Sequence, residues 1–259
     1  MMATYVMSDI HGCYDEFVSM LDKIRLDEDD ELILAGDYVD RGKQNLEMLR
    51  WIEEPPANVT MIKGNHDAEF VESVKIMDMI AEKIETNPDV PEDMKVLYYA
   101  MLQIRGMKEA YFDYYGTIRQ LIDRDVTLAD FDRWRDCITH MPLYVKRIIN
   151  GKEHIIVHAG YKETGDRKED EGFFLYARGK QDYLESGIKD GVIIAGHTPT
   201  VDKRSFSYNA GKVFVFYNEE KNCTIYDIDC GCAYRERFPA GCLACIRLED
   251  QEVVYISQA

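Results

Sequence analysis

Six side chains that can bind a divalent cation stand in five short polar clusters. Asp9 and His11 lie in Ser8-Asp9-Ile10-His11-Gly12, and Asp37 lies in Gly36-Asp37-Tyr38-Val39-Asp40-Arg41-Gly42. Asn65 lies in Gly64-Asn65-His66-Asp67, His158 in His158-Ala159-Gly160, and His197 in Gly196-His197-Thr198-Pro199. Carboxylates, imidazoles and an amide, with no thiolate, suit manganese, iron or zinc better than magnesium or calcium alone. Asp9 and His11 are two apart at a strand end and face the same side, so they would hold one ion. Asn65, His158 and His197 would hold a second, with Asp37 bridging both. Two ions about 3.5–4 Å apart clamp an in-line displacement at phosphorus. A single zinc already brings a bound water to a pKa of about 7. The expected nucleophile is therefore a metal-bridging hydroxide rather than a side chain.

Four further residues complete the chemistry. His66 follows Asn65 directly and is the candidate general acid for the departing oxygen. Asp40 can orient His66 and raise its pKa. Arg41, beside Asp40, and Arg178, in Leu175-Tyr176-Ala177-Arg178, can grip phosphate oxygens as planar forks. His140 and His154 fall outside the clusters and receive no role.

The elements that must position these residues are legible as apolar runs. Tyr5–Met7, Leu32–Ala35, Val59–Ile62, Ile155–Val157 and Val192–Ala195 each end in one of the clusters and read as buried strands. Tyr14, Phe17, Val18, Leu21 and Ile24 share a helical face, as do Leu46, Leu49 and Ile52. Alternating strands and helices predict an α/β layout with ligands gathered beyond the carboxyl ends of the strands. After Pro199, short strands at Val213–Tyr217, Thr224–Ile228, Leu243–Leu248 and Val253–Ile256 predict a second, largely antiparallel sheet packed on the first. Turns at Asn209-Ala210-Gly211 and Glu219–Asn222 separate them. The segment of about 68–141, with Tyr98, Tyr99, Tyr111, Tyr114, Tyr115 and Trp134, reads as a helical cap with its own small core that also walls the substrate site. Residues 1–259 are expected to form a single domain carrying that insertion.

Composition narrows the partners. A formal net charge of -17 repels nucleic acid and anionic membrane surfaces. A phosphate substrate must therefore meet a local positive site, which bound cations would create. No signal-like or membrane-spanning apolar stretch is present, and the seven cysteines suggest no secreted disulfide framework. The expected setting is cytoplasmic. Cys230, Cys232, Cys242 and Cys245 have the look of a four-thiolate zinc site. However, Cys242-Leu243-Ala244-Cys245-Ile246 reads as a strand, so packing is the preferred reading, as it is for Cys13 and Cys137.

Together the five clusters resemble the phosphoprotein phosphatase family of calcineurin-like metallophosphoesterases, in particular its compact bacterial and phage members. The resemblance runs in order from Asp9 to about Cys232, and Gly36–Gly42 is its most specific block. It implies a calcineurin-like αββα sandwich with two mixed β-sheets and a dinuclear centre often filled by manganese. It implies metal binding by Asp9, His11, Asp37, Asn65, His158 and His197, proton donation by His66 with Asp40, and phosphate binding by Arg41 and Arg178. Ser8, Asp67, Ala159 and Tyr176 stand where the family usually has Gly, Glu, Gly and Trp, and none of these changes removes a ligand. The leading expectation is a serine/threonine protein phosphatase. The alternative is a hydrolase of small phosphoesters such as symmetrical diadenosine tetraphosphate. A third reading, a catalytically silent metal-binding regulator, is opposed by the intact ligand set with His66.

Overall fold

Strand β1 (Thr4–Met7) is buried along its whole length, and its alternating side chains divide the molecule into layers. Tyr5 and Met7 point to one side with Leu32 and Leu34 of β2 (Glu31–Leu34), whereas Val6 points to the other with Ile33. A slip of one residue would exchange the two sets, so the apolar pattern fixes the register Val6↔Ile33. The computed structural model describes residues 2–83, 91–106, 116–122, 124, 126–202 and 211–257. Tyr111, Tyr114, Tyr115 and the Asn209-Ala210 part of an expected turn lie outside these residues.

Two five-stranded sheets stack face to face. The first has the order β10-β9-β1-β2-β3, with β3 at Val59–Met61, β9 at Leu243–Arg247 and β10 at Val253–Ile256. Its β1, β2 and β3 run parallel, while β9 is antiparallel to both β1 and β10. The second has the order β4-β5-β6-β8-β7: Tyr144–Ile149, Lys152–Val157, Val192–Ala195, Cys223–Asp227 and Phe214–Asn218. Its β5, β6 and β8 are parallel and its two outer strands antiparallel. Val6, Ile33, Ile62, Ile156, Ile194 and Ile246 fill the space between the sheets.

Helices α1 (Tyr14–Ile24) and α2 (Asn45–Glu53) cover the outer face of the first sheet through Phe17, Met20, Leu46, Leu49 and Ile52. Helices α7 (Arg167–Tyr176) and α8 (Gly179–Glu185) cover that of the second, through Phe174 and Tyr183. The resulting helix–sheet–sheet–helix sandwich with two mixed sheets is the one the family resemblance implies.

Three expectations need correction. The strands after Pro199 do not form a sheet of their own: β7 and β8 extend the sheet of β5 and β6, and β9 and β10 extend that of β1. Pairing between distant strands is not encoded in their local patterns. Strand β4 was not expected, because its half-exposed Tyr144-Val145-Lys146-Arg147 start lacks a continuous apolar run. The segment between β3 and β4 forms α3 (Asn65–Ala81), α4 (Pro91–Arg105), α5 (Thr117–Leu121) and α6 (Leu128–Thr139). It does not have a separate core, since Phe70, Phe131, Trp134 and Ile138 belong to the same apolar cluster as Met7, Leu34 and Leu49. The Trp134 indole N–H reaches Glu53 of α2 at 3.1 Å, which ties α6 to the sandwich. Among the described residues, no helix is long and apolar enough to cross a membrane.

Candidate metal centre

The carboxyl ends of β1, β2, β3, β5 and β6 converge, and the turns that follow them place all six candidate ligands in one buried group. His11 Nε2 lies 3.4 Å from Asp37 Oδ2 and 3.8 Å from Asp9 Oδ1. On the other side, His158 Nε2 lies 3.4 Å from Asp37 Oδ1 and 3.0 Å from Asn65 Oδ1. His197 Nδ1 is 2.8 Å from Asn65 Oδ1, and the His197 backbone N–H donates to Asp9 Oδ2 at 2.9 Å. The two oxygens of Asp37 thus face different imidazoles, an arrangement open to a bridging carboxylate.

Backbone strain is concentrated here. Asp9, His11, Asp37, Asp40, Arg41 and His197 have φ of 53°, 47°, 57°, 70°, 69° and 71°, in the left-handed region that side chains other than glycine rarely adopt. Each such residue costs on the order of 1–3 kcal/mol, and strain of this kind gathers at functional sites. A core built only for packing has no reason to bear it six times. Gly196 and Gly64 make the close approach feasible: a Cβ at Gly196 would overlap Asp9 Oδ2 and Ser8 Oγ, and one at Gly64 would overlap Asp37.

The donor set fits cations. The ligand atoms of His11, Asp37 and His66, and those of Asp37, His158 and His197, form two groups each spanning no more than 4.8 Å and sharing Asp37. Asp9 Oδ1 is buried without a hydrogen-bond partner among the described residues, the state of an oxygen whose natural partner is an ion. His11 Nδ1 lies 2.7 Å from the Val39 carbonyl and His158 Nδ1 2.9 Å from the Ala35 carbonyl. Donation to those carbonyls leaves each Nε2 lone pair facing inward, the tautomer that binds metal. Burial, reinforced by Arg41, pushes the His11 imidazole well below its ordinary value. Burial, reinforced by His158 and Arg178, does the same to His197. Both shifts favour the neutral ring that ligation demands. Burial alone would raise Asp37, but His158, His66, His11 and Arg41 hold its carboxyl below the usual range.

The remaining candidates border the centre. His66 Nδ1 sits 2.7 Å from Asp40 Oδ2. Burial alone would lower His66, yet the Asp37 charge and the Asp40 hydrogen bond outweigh it and raise its pKa. The Arg41 guanidinium contacts His11 Nε2, and its carbon lies 5.0 Å above the Tyr234 ring. Arg178 Nη2 lies 2.8 Å from His197 Nε2. Arg178 has extended backbone at the start of α8 rather than a place within a helix, so its side chain can turn toward the centre.

Several participants were not anticipated. Ser8 donates its hydroxyl to Asp9 Oδ2. Asp67, noted only as a departure from the family pattern, accepts the backbone N–H groups of Asp37 and Gly64 at 2.8 Å and of Tyr38 at 3.0 Å. Burial and the neighbouring Asp37 charge push its carboxyl up to about 7. Its place in the first turn of α3, three residues after Gly64, is the usable signal for such a role. Thr117 hydrogen-bonds Asp40 from 77 residues away, and no local signal announces that contact. The cysteines do not assemble a four-thiolate site. Cys232 lies beside Cys13 and Glu16, while Cys245 is buried in the helix-facing side of the first sheet. Cys230 and Cys242 pack with Ala244. Glu16 of the Cys13 group is already engaged by Arg235, at 2.5 Å.

Residues 2–220 match the family model described as Calcineurin-like phosphoesterase. The chain is 36% identical over 105 residues to the symmetrical bis(5'-nucleosyl)-tetraphosphatase of Haemophilus ducreyi, covering 39% of each chain. It is 28% identical over 177 residues to the protein of the same name from Pasteurella multocida, covering 66% of this chain and 60% of that one. The matches thus span less than two thirds of these relatives' length. A serine/threonine phosphatase structure from Saccharomyces cerevisiae superposes with a TM-score of 0.52 at 13% identity, over 98% of this chain and 79% of that one, a likeness of fold.

Proposed function

The chain belongs to the calcineurin-like phosphoesterase family, and from that premise we propose that it is a metal-dependent hydrolase acting on a nucleoside polyphosphate. The observation that carries the catalytic reading is Asp37, whose two oxygens face His11 and His158 at 3.4 Å each. Asp9, His11 and Asp37 would hold one divalent cation, and Asp37, Asn65, His158 and His197 the other. Manganese is the first choice, with iron or zinc as alternatives. Bound there, the cations would supply a water acidic enough to attack phosphorus near neutral pH and positive charge opposite the phosphoryl oxygens.

The chain's own residues do the rest. Arg41 and Arg178, which contact His11 and His197, would clamp the non-bridging oxygens. Asp40 holds the Nδ1–H of His66, which leaves the Nε2–H to be given to the departing oxygen. The bond from phosphorus to that oxygen breaks, the oxygen leaves with the proton of His66, and the ring is reprotonated from solvent.

The polyphosphate reading rests on the relatives' names and on the space beyond Arg41. A cavity of about 400 Å³ opens beside that residue and is lined by Lys43, Gln44, Tyr234, Arg235 and Arg237 among others. Asp15, Glu16 and Glu236 line the same cavity, and Lys43 and Arg235 pair with Glu236 and Glu16, so the support for an extended anion comes from the room beside Arg41 rather than from a net positive lining. A serine/threonine protein phosphatase is the second reading, favoured by the Gly36–Gly42 block. A cytoplasmic setting belongs to both, since buried reduced thiols suit that compartment.

Manganese-loaded protein should be assayed on p-nitrophenyl phosphate, then on diadenosine tetraphosphate against a phosphopeptide panel. Conversion of the dinucleotide to two ADP, at a kcat/KM well above that of any phosphopeptide, is the expected result. The opposite order would establish the protein phosphatase reading, and no turnover of any ester would leave a silent metal-binding protein.

A further inference from the structure

The geometry assigns Thr117, in the helical segment between β3 and β4, as a positioning residue for the His66–Asp40 pair. This assignment rests on the phosphoesterase reading above. Asp40 Oδ2 is committed to His66 Nδ1 at 2.7 Å. The other oxygen, Oδ1, accepts both the Thr117 backbone N–H at 2.8 Å and the Thr117 hydroxyl at 2.7 Å. That hydroxyl in turn accepts the Asp40 backbone N–H at 2.9 Å. A hydroxyl has one proton to give and lone pairs to receive, so the donor and acceptor roles in this closed ring are settled.

The ring has a specific task. Asp40 and Arg41 have φ of 70° and 69°, a conformation their own turn does not favour. Thr117 is buried and fixes both the backbone and the carboxylate of Asp40. A second clamp from the same helix acts two residues on, where the Gln120 side chain donates to the Gly42 carbonyl at 3.0 Å. Helix α5 thus holds the Asp40–Gly42 turn at both ends, and the carboxylate is aimed at His66 instead of rotating into solvent. Serine would preserve each of these hydrogen bonds. Valine would keep the shape of threonine but remove the hydroxyl.

Two measurements test the assignment. In metal-free protein, the imidazole N–H proton of His66, identified by its loss in His66→Asn, should give a low-field proton resonance in the wild type and in Thr117→Ser. Thr117→Val should shift or lose it. In manganese-loaded enzyme, Thr117→Val should lower turnover of phenyl phosphate about 10-fold more than that of p-nitrophenyl phosphate, whose good leaving group needs little protonation. Thr117→Ser should keep the wild-type ratio. A valine variant with unchanged resonance and unchanged leaving-group dependence would overturn the assignment. If valine prevents folding, judged by thermal melting, Thr117→Ala takes its place with the same two readouts. Should the wild type cleave neither ester nor diadenosine tetraphosphate, the phosphoesterase reading fails, and the resonance still decides the role of Thr117.

Discussion

Asp40 Oδ2 stands 2.7 Å from Nδ1 of His66, and this contact assigns the two ring nitrogens different work. Nδ1–H is tied to the carboxylate, so under the proposed function Nε2 is the nitrogen that would face the substrate. His66→Asn should retain its metal and lose about 100-fold or more of kcat/KM on phenyl phosphate, with a smaller loss on p-nitrophenyl phosphate. Metal analysis alongside steady-state kinetics checks both parts. Equal losses on the two esters would remove the acid role.

Asp37 is expected to matter through occupancy. Asp37→Asn weakens one oxygen of the carboxylate that, among the described residues, both histidine groups share. Metal content after dialysis should fall from two per chain to one or none, measured by inductively coupled plasma mass spectrometry. Retention of two ions would show that Asp37 does not join the sites.

Gly196 offers a test that changes no ligand. Its Cβ-free face lies against Asp9 Oδ2 and Ser8 Oγ, so Gly196→Ala must push Asp9 aside. Metal affinity should drop by about 10–100-fold, as for other losses of support behind a ligand. Calorimetric titration with manganese measures the drop, and wild-type affinity would mean that the turn can yield.

Away from the centre, Arg147 of β4 grips Glu31 of β2, with Nε 2.9 Å from Oε2 and 3.1 Å from Oε1, and so links the two sheets. The hydrogen bonds from Arg147 lower the Glu31 carboxyl below its ordinary 4.5. A carboxyl depressed by folding stabilises the protein above the ordinary value, and the gain is lost as pH falls through the folded-state value. Because the pair is partly solvated, Glu31→Gln should cost only about 0.5–1 kcal/mol at pH 7. In urea melts the gap to wild type should narrow steadily below pH 4.5. A constant gap would point to packing rather than charge.

The candidate centre was legible in the chain because each candidate ligand sits in a short cluster directly after an apolar run, where residue type and neighbours are visible together. Local spacing alone nominated Asp9, His11, Asp37, Asn65, His158 and His197, which the fold brings together. Which sheet each strand joins is a different kind of information. β9 reads as an ordinary buried run, and only its pairing with β1, more than 200 residues earlier, places it in the first sheet. Thr117 is hidden for the same reason, as its partner Asp40 is remote in sequence. The β4–β5 hairpin does carry a local signal. Asn150-Gly151, with φ of 51° and 76°, is the two-residue turn that joins β4 and β5 into a hairpin. It predicts a strand before Lys152, where the charges of Lys146 and Arg147 conceal one.

Asp67, at a position where the family usually has Glu, has a structural task of its own in this chain. Its shorter side chain reaches the N–H groups of Asp37, Tyr38 and Gly64, so the turn that presents Asp37 is held from the start of α3.

The most direct test is anomalous diffraction at the manganese edge from crystals grown with that metal. The account predicts two peaks flanking the Asp37 carboxylate, one beside Asp9 and His11 and the other beside Asn65, His158 and His197. A lone peak, or peaks that do not touch Asp37, would contradict it.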